Sequence, residues 1–374
     1  MVRGPCRELC LVSTRRSSPV GVARVPWASA RGATRGGGPG TGKKSCKHAC
    51  LFLPGLPLSV RRTAVRDGRR AGPAGRAPAR RRRDTGEGRT VAVSQGVLGE
   101  LLAELRAESA EVERLVVALP PAAWAAPTPA AGWTVAHQIA HLAWTDERAL
   151  LAATDAEAFR RETEAYAARP EAADFVDDGA ESGARLPHGE LLKRWRTGRE
   201  ALQGALTGLT PGVRLPWYGT SMSAASMATA RLMETWAHGT DVADALGLVR
   251  EPTARLRHIV RLGVRARDFA YLVHGLEPPA EAFRVETTGP GGELWAHGPE
   301  EAAQRVTGGA VDFCRLVTQR VHRDDTDLRA EGAEAERWLS IAQAFAGPPG
   351  TGRAPSRGRQ PEVSPGRMLR EGEA

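Results

Sequence analysis

The stretch from Met222 to Gly247, MSAASMATARLMETWAHGTDVADALG, limits the fold more than any other part of the chain. Ser223 is a good helix cap at its start and Gly247 a good stop at its end, so the spacing predicts one helix. Leu232, Met233, Trp236 and Val242 make that helix mostly apolar, which requires neighbours around it. It nevertheless carries Glu234 and His238, four residues apart and therefore on one face. A buried carboxylate needs a partner. The fold must therefore surround this helix and supply polar groups from inside.

A second segment, GWTVAHQIAHLAW (Gly132 to Trp144), supplies candidates. Thr134 is a suitable N-cap, and His137 and His141 fall in the first turns of the helix it opens. Leu98, Leu101, Leu102, Leu105, Val112, Leu115, Val116 and Leu119 recur at three- and four-residue spacing, and Pro120-Pro121 ends that run. Gly189 to Leu209 shows the same period through Leu191, Leu192, Trp195, Leu202 and Leu206. Four substantial helices in roughly 150 residues favour a bundle. Asp155 to Ala168 reads as a shorter polar helix, and Ala172 to Gly183 and Pro211 to Ser221 read as loops.

Beyond Gly247 the texture changes to a small α+β region. Ala254 to Gly275 reads as one long helix. Phe283 to Thr288 and Glu293 to His297 alternate and are joined by Gly289-Pro-Gly-Gly292, a hairpin signal. Val306-Thr307-Gly308 leads into a helix through Arg320, Leu328 to Ala330 reads as a short strand, and Ala333 to Phe345 as a helix. The expected division is a basic disordered leader over 1–92, a helical bundle over 93–248, an α+β domain over 249–349 and a disordered tail over 350–374.

Charge weighs against one broad function class. The formal net charge of +9 is concentrated at the start, where residues 1–90 hold 21 Lys/Arg against 4 Asp/Glu. Residues 91–374 hold 31 against 39, a net −8. An acidic body disfavours general phosphate binding, which relies on clustered Lys/Arg. The leader is Arg-, Gly- and Pro-rich and has too little apolar surface to offset chain entropy. It is either disordered or not made, the true start then lying near Val91 to Val97. No secretory or membrane-spanning pattern is present in it. Cys6, Cys10, Cys46 and Cys50 lie in this leader, and Cys46-Lys-His-Ala-Cys50 has poor zinc-knuckle spacing. Cys314, alone in the body, reads as a small buried hydrophobe, consistent with a reducing, cytoplasmic setting.

The chemistry is carried by His141, Glu234 and His238. Inward-facing side chains of a bundle can converge on an ion, and two histidines with one carboxylate leave a coordination position open. The donors suit zinc and also Fe2+. The competing explanation is an ordinary i,i+4 pair within the helix. Other residues have weaker claims. His137 is a neighbour of the ligands, a spare ligand, or simply solvated, and Asp241 either orients an imidazole or lies on the surface. Arg231 either binds a substrate carboxylate or pairs within its helix. Pro216, Trp217, Tyr218, Met222 and Met227 form either a pocket wall or core. His297, Trp295 and His322 read as structural.

The two segments, GWTVAHQIAHLAW and RLMETWAHGTDVADALG, together resemble the DinB-like bundle proteins. The nearest branch is the metal-binding domain of mycothiol-dependent maleylpyruvate isomerases. The resemblance covers about Val97 to Gly247, and extends to about Gly350 in an uncharacterised actinobacterial branch. It implies a DinB-like four-helix bundle with a divalent metal, zinc first and Fe2+ or Ni2+ next, on His141, Glu234 and His238. It also implies mycothiol or a similar low-molecular-weight thiol and isomerase or transferase chemistry on a small-molecule substrate. The body has no evident cysteine nucleophile, which agrees with an external thiol. A non-catalytic metal-dependent binding or sensing protein is the alternative. Some related C-terminal regions are likened to a wyosine-formation domain of tRNA modification, but no motif here supports that role.

Overall fold

The computed structural model describes residues 86–168, 175–218, 220–350 and 352–356, with side chains from Gly96 onward. The leader's expected disorder, its cysteines and the last part of the tail lie outside the described residues. The chain is mainly α, a helical bundle followed by a small α+β part.

Four helices form the bundle: α1 (Gly86–Val116), α3 (Val135–Thr154), α6 (His188–Gly208) and α7 (Ala224–Leu246). α1 packs along α7, and α3 packs against both α6 and α7. The repeating apolar positions explain this arrangement, because Leu101, Leu105, Ile139, Leu142, Trp195, Leu206, Met227 and Leu232 all turn inward and are buried. Burying each large side chain contributes about 1.5–3 kcal/mol. The ends of α7 follow the sequence signals: Ser223 Oγ accepts from Ser226 N–H, and Gly247 adopts φ 66°. Glycine alone takes that conformation without a Cβ penalty. Between the long helices lie α2 (Pro121–Trp124), α4 (Ala156–Ala167) and α5 (Phe175–Ala184).

Two stretches expected to be loops are ordered. α5 occupies most of Ala172 to Gly183, burying Phe175, Val176, Ala180 and Gly183. It forms because Gly179 and Gly183 permit close approach: a Cβ on Gly183 would lie 2.7 Å from the Ala140 Cβ, and one on Gly179 2.9 Å from the Trp144 ring. The other is a short hairpin of β1 (Leu215–Trp217) and β2 (Thr220–Met222), seated by buried Leu215 and Trp217.

In the C-terminal part, the expected long helix is broken at Ala266 into α8 (Leu256–Arg265) and α9 (Arg267–Val273). The halves have different docking partners. Gly263 of α8 lies close beneath Phe313 and Val317, whereas Tyr271 of α9 donates to the Glu334 carbonyl at 2.9 Å. The sheet contains β3 (Phe283–Thr288), β4 (Leu294–His297), β5 (Gln304–Gly309) and β6 (Arg329–Glu331) in the order β4-β3-β5-β6. β5 corrects the expectation that Val306-Thr307-Gly308 merely leads into a helix. It pairs parallel to β3, with Val306 opposite Val285, both fully buried. α10 (Ala310–Val317) and α11 (Ala333–Ile341) are both shorter than the sequence spacing suggests. At the start of the expected disordered tail, Arg353 pairs with Asp241 and Ser356 with Asp325.

Candidate metal centre

α3 and α7 bring together the three residues that their sequences nominate. His141, Glu234 and His238 are all buried, and one potential ligand atom from each lies within 4.8 Å of the others. His238 Nε2 is 3.1 Å from Glu234 Oε2, and His141 Nε2 is 3.6 Å from the same oxygen. The His141 and His238 ring centroids are 4.4 Å apart. Burial alone would raise the Glu234 carboxyl, but the two imidazoles beside it bring it well below the ordinary carboxylate range. His238 is pulled down to about 3 by burial and then by the neighbouring His141, against the opposing influence of Glu234. The chemical result is a carboxylate facing neutral imidazole, a set of oxygen and nitrogen lone pairs.

Aromatic rings enclose this set. The Trp133 ring lies 5.2 Å from that of His141 and 5.9 Å from that of His238, centroid to centroid. Its indole N–H donates to Asp177 at 3.1 Å, tying the ring to α5. Trp144 stands 6.3 Å from His141 and also lines a cavity of about 210 Å3 with Tyr166, Phe175, Asp178, Ser182 and Arg194. Polar support comes from Gln138, one turn before His141. Its amide oxygen lies 2.6 Å from His238 Nδ1, and its amide nitrogen donates to Thr128 Oγ1 at 2.8 Å. Neither ring nitrogen of His141 has a hydrogen-bond partner among the described residues.

The weaker candidates resolve differently. His137 serves the helix start: its Nδ1 accepts from the Thr134 backbone N–H at 3.2 Å, and its Nε2 meets Glu181 at 2.8 Å. Arg231 is buried, and its Nε donates to Asp146 Oδ1 on α3 at 2.8 Å, so its partner is on another helix rather than its own. Asp146 also accepts from Trp195 Nε1, which links α3, α6 and α7. Burial raises the Asp146 carboxyl despite Arg231. Asp241 is neither an imidazole orienter nor a surface group, because it is buried and pairs with Arg320 Nη2 at 2.9 Å. Trp217, Tyr218 and Met227 are core residues. His322 Nδ1 caps the 3-10 turn Arg323–Asp325, accepting from Asp324 N–H. Sequence reasoning missed Gln138 and Trp133 as parts of the site. The signal available was their spacing, since Gln138 lies three residues before His141 and so shares its face.

The fold and site together define a helical-bundle protein with a buried His-Glu-His set on two facing helices. Residues 105–243 match the family described as the mycothiol maleylpyruvate isomerase N-terminal domain, and residues 279–331 match wyosine base formation. Two uncharacterised proteins from two strains of Mycobacterium tuberculosis are each 57% identical over 255 residues, covering 68% of this chain and 98% of their own length. Crystal structures of the mycothiol-dependent maleylpyruvate isomerase and a histidine-to-alanine mutant align with TM-scores of 0.45 and 0.46 at 18% identity. Each alignment covers 62% of this chain and 92% of the other. The chain belongs to one family with these mycobacterial proteins, and within it residues 105–243 form a mycothiol maleylpyruvate isomerase N-terminal domain.

Proposed function

We propose that His141, Glu234 and His238 bind a divalent metal ion, zinc first and Fe2+ or Ni2+ as alternatives, and that the protein is a thiol-dependent isomerase or transferase. The observation that carries this reading is the spacing of the ligand atoms. Donors about 2.1 Å from a tetrahedral zinc ion lie roughly 3.4 Å from one another. The contacts of 3.1 and 3.6 Å to Glu234 fall on either side of that value. The unpartnered nitrogens of buried His141 support the same reading, because an orphaned buried polar atom carries an energetic cost that a ligand would relieve. A bound ion would supply a Lewis-acid centre that lowers the pKa of water or of a thiol.

The protein's own part is to hold two imidazoles and a carboxylate in place and to limit water around them. Trp133 and Trp144 perform the second task. The thiol half of the proposal rests on the match of residues 105–243 to the mycothiol maleylpyruvate isomerase N-terminal domain, and on the buried state of Cys314. Burial pushes the Cys314 thiol well above its ordinary value, so it does not supply a nucleophile. No residue pattern ties the site to maleylpyruvate.

Metal analysis of the purified protein beside His141→Ala and Glu234→Ala tests the site. Stoichiometric metal in the parent and its loss in both variants is expected, and unchanged stoichiometry in both would overturn it. A thiol-trapping assay on metal-loaded protein tests the reaction class, and absence of thiol binding and thiol-dependent turnover counts against the enzyme. The wyosine-formation match raises a second reading, an accessory role in tRNA modification. Salt-dependent RNA binding by the full chain would support it.

A further inference from the structure

The hydrogen bonds behind His238 form a relay with a defined direction. It ends on the Trp133 carbonyl, which can only accept. The Thr128 hydroxyl donates to that carbonyl at 2.9 Å. Its oxygen is then available to accept, and the Gln138 amide nitrogen donates to it at 2.8 Å. Gln138 therefore presents its oxygen, not its nitrogen, to His238 Nδ1 at 2.6 Å. Gln138 is completely buried, so water does not compete for either end of its amide.

This direction determines which nitrogen of His238 is protonated. An imidazole that donates from Nδ1 and is neutral carries its lone pair on Nε2. Nε2 is the nitrogen facing Glu234 at 3.1 Å. The opposite tautomer would donate Nε2–H to the carboxylate and place a proton where the ligand lone pair is needed. Glu234 is a strong charged acceptor for that proton. The shorter contact to Gln138 opposes it.

We propose that Gln138 is a positioning residue for the metal centre, which holds His238 in its Nδ1–H tautomer through the Thr128–Trp133 relay so that Nε2 is the ligand. This inference rests on the metal-binding reading and identifies the group that prepares the site. It also distinguishes the two histidines. His238 is oriented by a hydrogen bond, whereas His141, without one among the described residues, is oriented by packing between Trp133 and Trp144.

The test compares the parent with Gln138→Leu, Gln138→Glu and Thr128→Val. Zinc affinity is measured by chelator competition, and the His238 tautomer by nitrogen-15 shifts of the metal-free ring. Thermal unfolding of each metal-free protein identifies variants that fail to fold. Gln138→Leu is expected to move the proton to Nε2 and weaken zinc about 10–100-fold. Gln138→Glu retains an acceptor for Nδ1–H and is expected to keep affinity within about tenfold of the parent. Thr128→Val, at a half-buried position, is expected to fold and to give a smaller loss in the same direction. A metal-free parent in the Nε2–H tautomer overturns the inference, as does unchanged zinc affinity in Gln138→Leu. If the parent binds no zinc, the metal reading fails separately, and the tautomer measurement still decides what Gln138 does.

Discussion

Arg231 and Asp146 show how burial changes the meaning of a charged residue. On α7, Arg231 lies three residues before Glu234, and helical geometry alone would pair them. Instead its side chain crosses to α3, where Asp146 accepts from Nε at 2.8 Å, in a position that water does not reach. Removing one member of such a pair strands the other as an unpaired buried charge, at a cost of about 3–5 kcal/mol. Arg231→Met is therefore expected to lower the unfolding free energy measured in urea by that amount. Arg231→Met with Asp146→Leu should regain most of it, and equal destabilisation in single and double variants would contradict the pairing. Glu234 and His238 were legible from their spacing as a pair, and His141 as a candidate third ligand. The sequence did not indicate Asp146 as the partner of Arg231, because nothing local places α3 against that face of α7.

At the scale of elements, contact distance between helices decides most of what the sequence left open. α5 is polar enough to resemble a loop, yet Gly183 lets it lie against Ala140 of α3. A larger side chain must push the helices apart. Gly183→Val is expected to cost about 1–3 kcal/mol. It should also increase hydrogen exchange across α5 before the rest of the bundle, and uniform exchange would argue against local displacement. α1 and α6 are joined by Glu113, which meets Arg196 at 2.6 Å and also pairs with Arg199. Burial would raise the Glu113 carboxyl, but the two guanidinium groups more than offset this and hold it below its ordinary 4.5. A depressed folded pKa means that the contribution is complete above about 4.5 and is lost as pH falls through the folded value. Glu113→Gln should therefore flatten the acid side of the stability profile while leaving its shape above pH 6 unchanged. An unaltered acid limb would remove Glu113 as a contributor.

At the scale of the whole described structure, a buried ion pair on α7 joins the bundle to the C-terminal part. Asp241, three residues after His238, meets Arg320, which follows α10 in the C-terminal part, and both side chains are nearly inaccessible. Arg353, farther along the chain, meets the other carboxylate oxygen from a more exposed position. The two arginines should contribute unequally. Arg320→Met is expected to cost about 3 kcal/mol or more and to separate the unfolding of the bundle from that of the α+β part. Arg353→Ala should cost about 1 kcal/mol or less. Equal effects in urea unfolding would mean that burial does not rank these pairs. Among the described residues no helix is long and apolar enough to cross a membrane.

The sequence by itself determined the long helices, the caps of α7, and a His-Glu-His set, because repeating apolar spacing and short-range helical geometry are properties of neighbouring residues. Tertiary structure alone decided that α5 is a helix, that β5 pairs with β3, that Ala266 breaks a helix, and which groups face Arg231 and Asp241. Each of those outcomes depends on distances between residues far apart in the chain, where a missing Cβ, an opposing carboxylate or a parallel strand has no local signal. The relay from Trp133 through Thr128 and Gln138 to His238 belongs to both. Trp133 and Gln138 lie in the segment that marked the site, but the direction of the relay exists only once α3 and α7 bring Gln138 Oε1 within 2.6 Å of His238 Nδ1.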